Sequence, residues 1–179
     1  MSQISQQIGV DKKTTSTALS AVMPTLVSAL AKNASNPDGA QSLQQALAND
    51  HDGSIFDDIS GFLGNPEAAN GAGILGHILG NRQPVVTQGL AKGTGLDIGQ
   101  IGKLLQIAAP LVMGILGKQQ QKKSFDTDGL SAFLGGQQQK AQKSNPNMMG
   151  ALNSMLDADG DGSALDDILG MAGKLFGKR

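Results

Sequence analysis

Residues 8–32 read IGVDKKTTSTALSAVMPTLVSALAK, and residues 94–118 read TGLDIGQIGKLLQIAAPLVMGILGK. A shift of 86 residues lays Gly9, Asp11, Leu19, Pro24, Leu30 and Lys32 on Gly95, Asp97, Leu105, Pro110, Leu116 and Lys118. In both stretches apolar residues return at steps of three and four, the period of a helix with one buried face. Each therefore predicts a long helix carrying a Pro near its middle. An interior Pro removes one backbone hydrogen bond and bends its helix, so kinks are expected at Pro24 and Pro110.

A shift of 109 residues produces a second match, residues 36–64 on residues 145–173. Both begin Asn-Pro, and both contain D-x-D-G-S-x-x-D-D-I, at 50–59 and at 159–168. Asn before Pro supplies an N-cap followed by a first helical residue whose missing N–H costs nothing. A weaker version of the acidic turn reads DTDGLSAFLGG at 126–136. Repetition of this kind means one supersecondary unit used more than once. The unit predicted is a long Pro-containing helix, a shorter helix opening at Asn-Pro, an acidic turn, and a short helix ending in Gly.

The fold class expected is all-α, an internally repeated helical bundle with kinked Pro-containing helices and short acidic-turn helices. Composition agrees: with five Phe and no Trp or Tyr, a core must be built from Leu, Ile, Val, Met and Ala, which suits helix-on-helix packing. The expected division is a repeated helical domain at 1–118 (units at about 4–64 and 85–135), a polar Gln/Lys linker region with a short helix at 119–147, and a C-terminal half-repeat at 148–179. KQQQKK (118–123) and GGQQQKAQKSNPN (135–147) are the linker stretches. The 25 glycines, about twice the usual share, recur inside apolar stretches such as GAGILGHILG (71–80), where helices can approach closely.

The run GVDKKTTSTALSAVMPTLVSALAKNASNPDGAQSLQQAL, followed by NDHDGSIFDDISGFLG, GAGILGHILG and GLDIGQIGKLLQIAAPLVMGILGK, resembles the bacterial family catalogued as domain of unknown function 937, kin to the YidB-like proteins. The likeness covers roughly residues 4–118 closely and extends through the C-terminal acidic turn. It implies an all-helical bacterial protein with a homeodomain-like flavour, and no activity, cofactor or catalytic residue.

The acidic turn DADGDGSALDDI (157–168) is the one stretch that suggests chemistry. In a calcium loop, carboxylates at positions 1, 3 and 5 face one side of a tight turn, Gly at 6 permits the reversal, and position 7 gives a carbonyl. Asp157, Asp159, Asp161, Gly162 and Ser163 fit this series, but position 12 is Ile168, leaving Asp166 and Asp167 to close the shell. That predicts a weak calcium site. The first copy is poorer, with Ala48 at position 1 and only Asp50, Asp52 and Asp57 available. Helix capping explains much of the pattern without an ion, since Ser163-x-x-Asp166 and Ser54-x-x-Asp57 read as capping boxes and paired aspartates suit the helix dipole. His51 and His77, the two histidines, stand far apart with no metal-ligand neighbour at useful spacing.

Function is expected to be non-enzymatic. There is no Cys, no nucleophile motif, no phosphate loop and no His-containing zinc pattern. The alternative is a helix-turn-helix DNA-binding protein, because ISQQIGVDKKTTSTALS (4–20) places Lys12, Lys13, Thr14, Thr15 and Thr17 where a recognition helix meets a groove. Its twin has Ile98, Gly99 and Ile101 there, and a formal net charge of -1 gives little phosphate attraction, so nucleic acid is disfavoured. The C-terminal ALDDILGMAGKLFGKR is amphipathic and ends in Lys174, Lys178 and Arg179, but three cations make a weak membrane anchor. The start, MSQISQQIGVDKK, lacks the pattern of a signal peptide, and the longest apolar run (104–116) is short of a transmembrane segment. The expectation is a cytoplasmic scaffold or assembly protein whose partner is itself, as a homo-oligomer, or another protein. The Gly-rich apolar segment 71–80 is the face expected to meet another copy.

Overall fold

A computed structural model describes residues 1–144, 146 and 149–151, and over these the chain is helical with no strand. The helices are α1 (Ser2–Ile8), α2 (Lys12–Asn33), α3 (Pro37–Asn49), α4 (Ile59–Gly64), α5 (Gly71–Leu79), α6 (Gln83–Thr94), α7 (Ile98–Lys123) and α8 (Thr127–Ser144). Short 3-10 turns lie at Ser54–Phe56, Pro66–Ala69 and Gly80–Arg82.

The two long helices begin alike for local chemical reasons. Gly9 and Gly95 end α1 and α6 in the left-handed conformation, at φ 72° and 75°, which only Gly adopts without strain. Two residues later Asp11 and Asp97 are N-caps, at φ/ψ of -68°/163° and -74°/162°. The Asp11 carboxylate accepts from the amides of Lys13 (2.8 Å) and Thr14 (3.0 Å). Asp97 accepts from the Gln100 amide at 2.7 Å, and the Gln100 side chain returns the bond to the Asp97 amide at 3.1 Å, a complete capping box.

The long helices pack on each other, and the short ones clasp them crosswise: α1 touches α7 as well as α2, and α6 touches α2 as well as α7. Leu26, Leu104 and Leu105 are fully buried, joined by Leu75 and Leu79 of α5 and by Leu130 and Leu134 of α8. Each buried leucine contributes about 1.5–3 kcal/mol relative to an exposed one. Pro24 and Pro110 sit inside α2 and α7. Each leaves the carbonyl four residues earlier, Ser20 or Gln106, without its helical donor. Gly71, the first residue of α5, lies over the Gln106 carbonyl so closely that a Cβ there would fall on its oxygen.

Three expectations change. The Gln/Lys stretches read as linkers are helical: 118–123 is the last turn and a half of α7, and 135–144 is the second half of α8. Gln and Lys are strong helix formers, and two leucines on one face suffice to hold α8 against α2 and α3. Its start is held as well, with Gln44 and Gln120 both donating to the Phe125 carbonyl (2.8 and 2.7 Å). Asp126 is the N-cap of this 18-residue helix, accepting from the Gly129 amide at 2.8 Å, rather than part of a turn leading to a short helix. The segment 71–80 does not offer an apolar face to a second copy. Ile74, Leu75, Ile78 and Leu79 are buried between α7 and α2.

The apolar run at 104–116, interrupted only by Gln106, understates the helix that contains it. Lys12–Asn33 and Ile98–Lys123 are both long and apolar enough to cross a membrane by length and composition, with mean hydropathies of 1.2 and 1.4. In each, 56% of the most apolar window is buried inside the protein, so these are also the helices that form the core.

Candidate functional site

The first acidic turn is a docking loop. It leaves α3 at Asp50, whose amide still bonds to the Ala46 carbonyl at 3.0 Å, and reverses at Gly53, φ 96°. The Asp52 carboxylate turns back to accept from the Ser54 amide at 2.9 Å. The Ser54 bonds and, after them, Lys118 hold the Asp52 carboxyl below its ordinary value. Ser54 does not cap a helix: the short helix α4 starts five residues on, capped by Asp58, which accepts from the Gly61 amide at 2.8 Å. The capping box expected at Ser54 and Asp57 is thus replaced by a turn bond at Asp52 and a cap at Asp58, because the 3-10 turn at Ser54–Phe56 intervenes.

The loop lies on α7 where that helix has no side chains. A Cβ on Gly117 would collide with the His51 carbonyl oxygen and stand 2.8 Å from its carbon. On Gly114 it would reach 2.6 Å from the Ile55 side chain and 3.1 Å from the Phe56 ring. Gly53 in turn faces the Gly114 carbonyl and the Lys118 side chain. The Lys118 ammonium stands 5.1 Å from the centre of the Phe56 ring and 4.0 Å from Asp57. An exposed ion pair at that distance adds little to stability.

Asp50, Asp52 and Asp57 are therefore not brought together. One follows the end of α3, one is turned to Ser54, and one faces Lys118. Among the described residues no group of three or more His, Cys, Asp or Glu side chains is placed to hold a metal ion. Asp157, Asp159, Asp161, Ser163, Asp166 and Asp167 lie outside the described residues.

The two histidines, far apart in sequence, border one cleft of about 830 Å³ between α2, α3 and α5. His51 and Asp50 stand at its α3 end and His77 on its α5 wall, with Leu30, Met113 and Ile74 also lining it. Burial lowers the His51 pKa, partly opposed by the charge of Asp50. The cleft is braced by Asn33, which donates to the carbonyls of Ile78 (2.9 Å) and His77 (3.3 Å) at the end of α5 and accepts from Arg82 (3.4 Å). Nothing in the spacing of residues 51 and 77 signals that they share a cleft, which comes from α5 folding back onto the end of α2.

At the α1–α2 corner, Lys12, Lys13 and Thr17 are exposed. Thr15 is buried with its hydroxyl on the Asp11 carbonyl at 2.8 Å, and the Thr14 hydroxyl is bonded to the Asp11 carboxylate. The same corner between α6 and α7 buries Ile101 and exposes Ile98, 58% accessible, beside a shallow hollow that includes Gly95, Leu96 and Gly99.

Comparison with curated proteins and with solved structures gives no match. Residues 1–119, which carry both corners, the docking loop and almost all of α7, match the family described as bacterial protein of unknown function, DUF937. That span covers well over half of the sequence, and the chain belongs to this family.

Proposed function

We propose that this protein is a non-enzymatic helical scaffold, built from a duplicated helix-corner-helix unit, that self-associates through the α6–α7 corner. The observation that carries the reading is the contrast between the two corners. They share the left-handed Gly, the Asp cap and the crosswise clasp, yet one presents Lys12 and Lys13 and the other Ile98 and Gly99 at the matching positions. A backbone corner kept in form but made apolar at its tip suits contact with another copy, where burying an isoleucine is favourable. Light scattering after size-exclusion chromatography tests this on the native chain and on Ile98→Lys. Association lost in the variant supports it, and a native chain that stays monomeric at high concentration overturns it.

Calcium at Asp157, Asp159, Asp161, Ser163, Asp166 and Asp167 belongs to the same reading as a modest stabiliser. A bound ion raises the melting temperature with its occupancy. Calorimetry and melting with millimolar calcium, on the native chain and on Asp157→Ala/Asp159→Ala, test it, and an unchanged native melt removes it. The second reading, DNA binding, is favoured by the exposed Lys12 and Lys13 alone. Asp11 places a carboxylate at the helix start where a phosphate would bind, and a salt-independent result in a mobility-shift assay removes this alternative. A cytoplasmic location is part of the proposal.

A further inference from the structure

The cleft of about 830 Å³ between α2, α3 and α5 has the size of a pocket for a small organic molecule. Leu30, Ile74, Ile78 and Met113 line it with hydrocarbon, and all four are otherwise buried. Its polar side chains fall into two sets. Asn33, Asn36 and Asn70 are committed, Asn33 to the carbonyls at the end of α5, the other two to the amides of Gly39 and Gly73 as helix caps. The side chains of Ser42, Asp50, His51 and His77 make no hydrogen bond or ion pair among the described residues.

We infer that this cleft binds an organic cation, an ammonium group carried on an apolar body. The ammonium lies at the α3 end beside Asp50, and the hydrocarbon covers Leu30, Ile74 and Met113.

Charge decides the class of ligand. Among the residues lining the cleft Asp50 is the one acid, and there is no Lys or Arg. Arg82 is not among them and is held by the Asn33 side chain and the Leu79 carbonyl. Asp50 directly follows α3, a helix of 13 residues whose carbonyl end adds partial negative charge at the same place. A carboxylate or phosphate ligand would meet repulsion from both. Because burial lowers the His51 pKa, its imidazole is uncharged at neutral pH and keeps a lone pair for an N–H donor. A bare metal ion fits less well, since no three His or acidic side chains are grouped to hold one among the described residues. The cation that fits is one that gains part of its binding from its own hydrocarbon.

The probes are hexylamine, butylamine and hexanoate at neutral pH, titrated into the isotope-labelled full-length chain and followed by NMR of the amides and histidine rings. Hexylamine is expected to shift the His51 and His77 ring signals saturably, together with amides of α3 and α5. Butylamine, two methylenes shorter, is expected to bind about tenfold more weakly. Asp50→Asn is expected to weaken hexylamine by about two- to fivefold, the modest effect of an exposed charge. Asp50→Lys, which suits a helix C-terminus and leaves the fold intact, is expected to abolish hexylamine binding and admit hexanoate. Hexanoate binding to the native chain as tightly as hexylamine overturns the inference. So do an absence of saturable shifts at His51 and His77, shifts confined to other surfaces, and affinities that ignore the charge at residue 50. None of these outcomes depends on whether the chain self-associates through Ile98.

Discussion

Replacing Gly117 by alanine tests whether the acidic turn is held by backbone contact. In an unconstrained helix interior the change raises stability by about 1 kcal/mol, because glycine leaves more freedom in the unfolded chain. At Gly117 the new methyl meets the His51 carbonyl oxygen and lies 2.8 Å from its carbon and 3.1 Å from the Asp52 carbonyl carbon. These are backbone atoms, so no rotamer change relieves the clash, and the turn or α7 must move. Overpacking of this kind costs about 1–3 kcal/mol, and the rigid partner places it near the upper end. After the helix gain is subtracted, a net loss of about 2 kcal/mol is expected. Gly102, in the same helix with nothing within 4 Å of a built Cβ, is the control, and Gly102→Ala is expected to gain about 1 kcal/mol. For a chain of this size those values lower the melting temperature by about 4–8 °C and raise it by about 2–4 °C. Thermal and urea unfolding followed by circular dichroism at the helix band measure both. A Gly117→Ala protein stabilised as much as Gly102→Ala would refute the docking described for the turn.

Asp97→Ala removes a capping box and is expected to cost about 1 kcal/mol in the urea midpoint, while Asp97→Asn retains most of the stability. Leu75→Ala, at a fully buried position in α5, is expected to cost about 2–5 kcal/mol, and a loss under 1 kcal/mol would mean that α5 is not part of the core. His51 has a folded pKa below its ordinary 6.5, so between the two values the unfolded chain holds the proton and the folded chain does not. Its contribution is therefore complete above 6.5 and declines as the pH falls below that value. A histidine titration by NMR should place the His51 midpoint below 6.5, and His51→Gln should flatten the melting temperature in that window.

The helices were legible because their cues are local: the apolar period of the long ones and Asn-Pro ahead of α3. The cap at Asn36 could be read from chain chemistry alone, whereas Asp11 and Asp97 stood out only as matching positions of the two stretches. What escaped depends on neighbours. α8 looks like a linker because its outer face is Gln and Lys, yet its place is secured by Leu130, Leu134 and two glutamine side chains from other helices. Ser54 matched a capping pattern that Asp58 fulfils instead, since nothing local announces the 3-10 turn between them. The acidic turn suggested an ion in sequence, and its docking on Gly114 and Gly117 is visible only once α7 is in place. His51 and His77 border one cleft for the same reason, through tertiary packing with no spacing rule behind it.

The position of α7 has a consequence for synthesis on the ribosome. α1, α2, α3, α5 and α6 all pack against this one helix, and all precede it in the chain. Until residue 123 has emerged, α5, which carries the buried Leu75, waits without the helix it packs on most. A nascent chain of this design exposes apolar helix faces until α7 has been made, the stage at which an unfinished chain is most prone to aggregate.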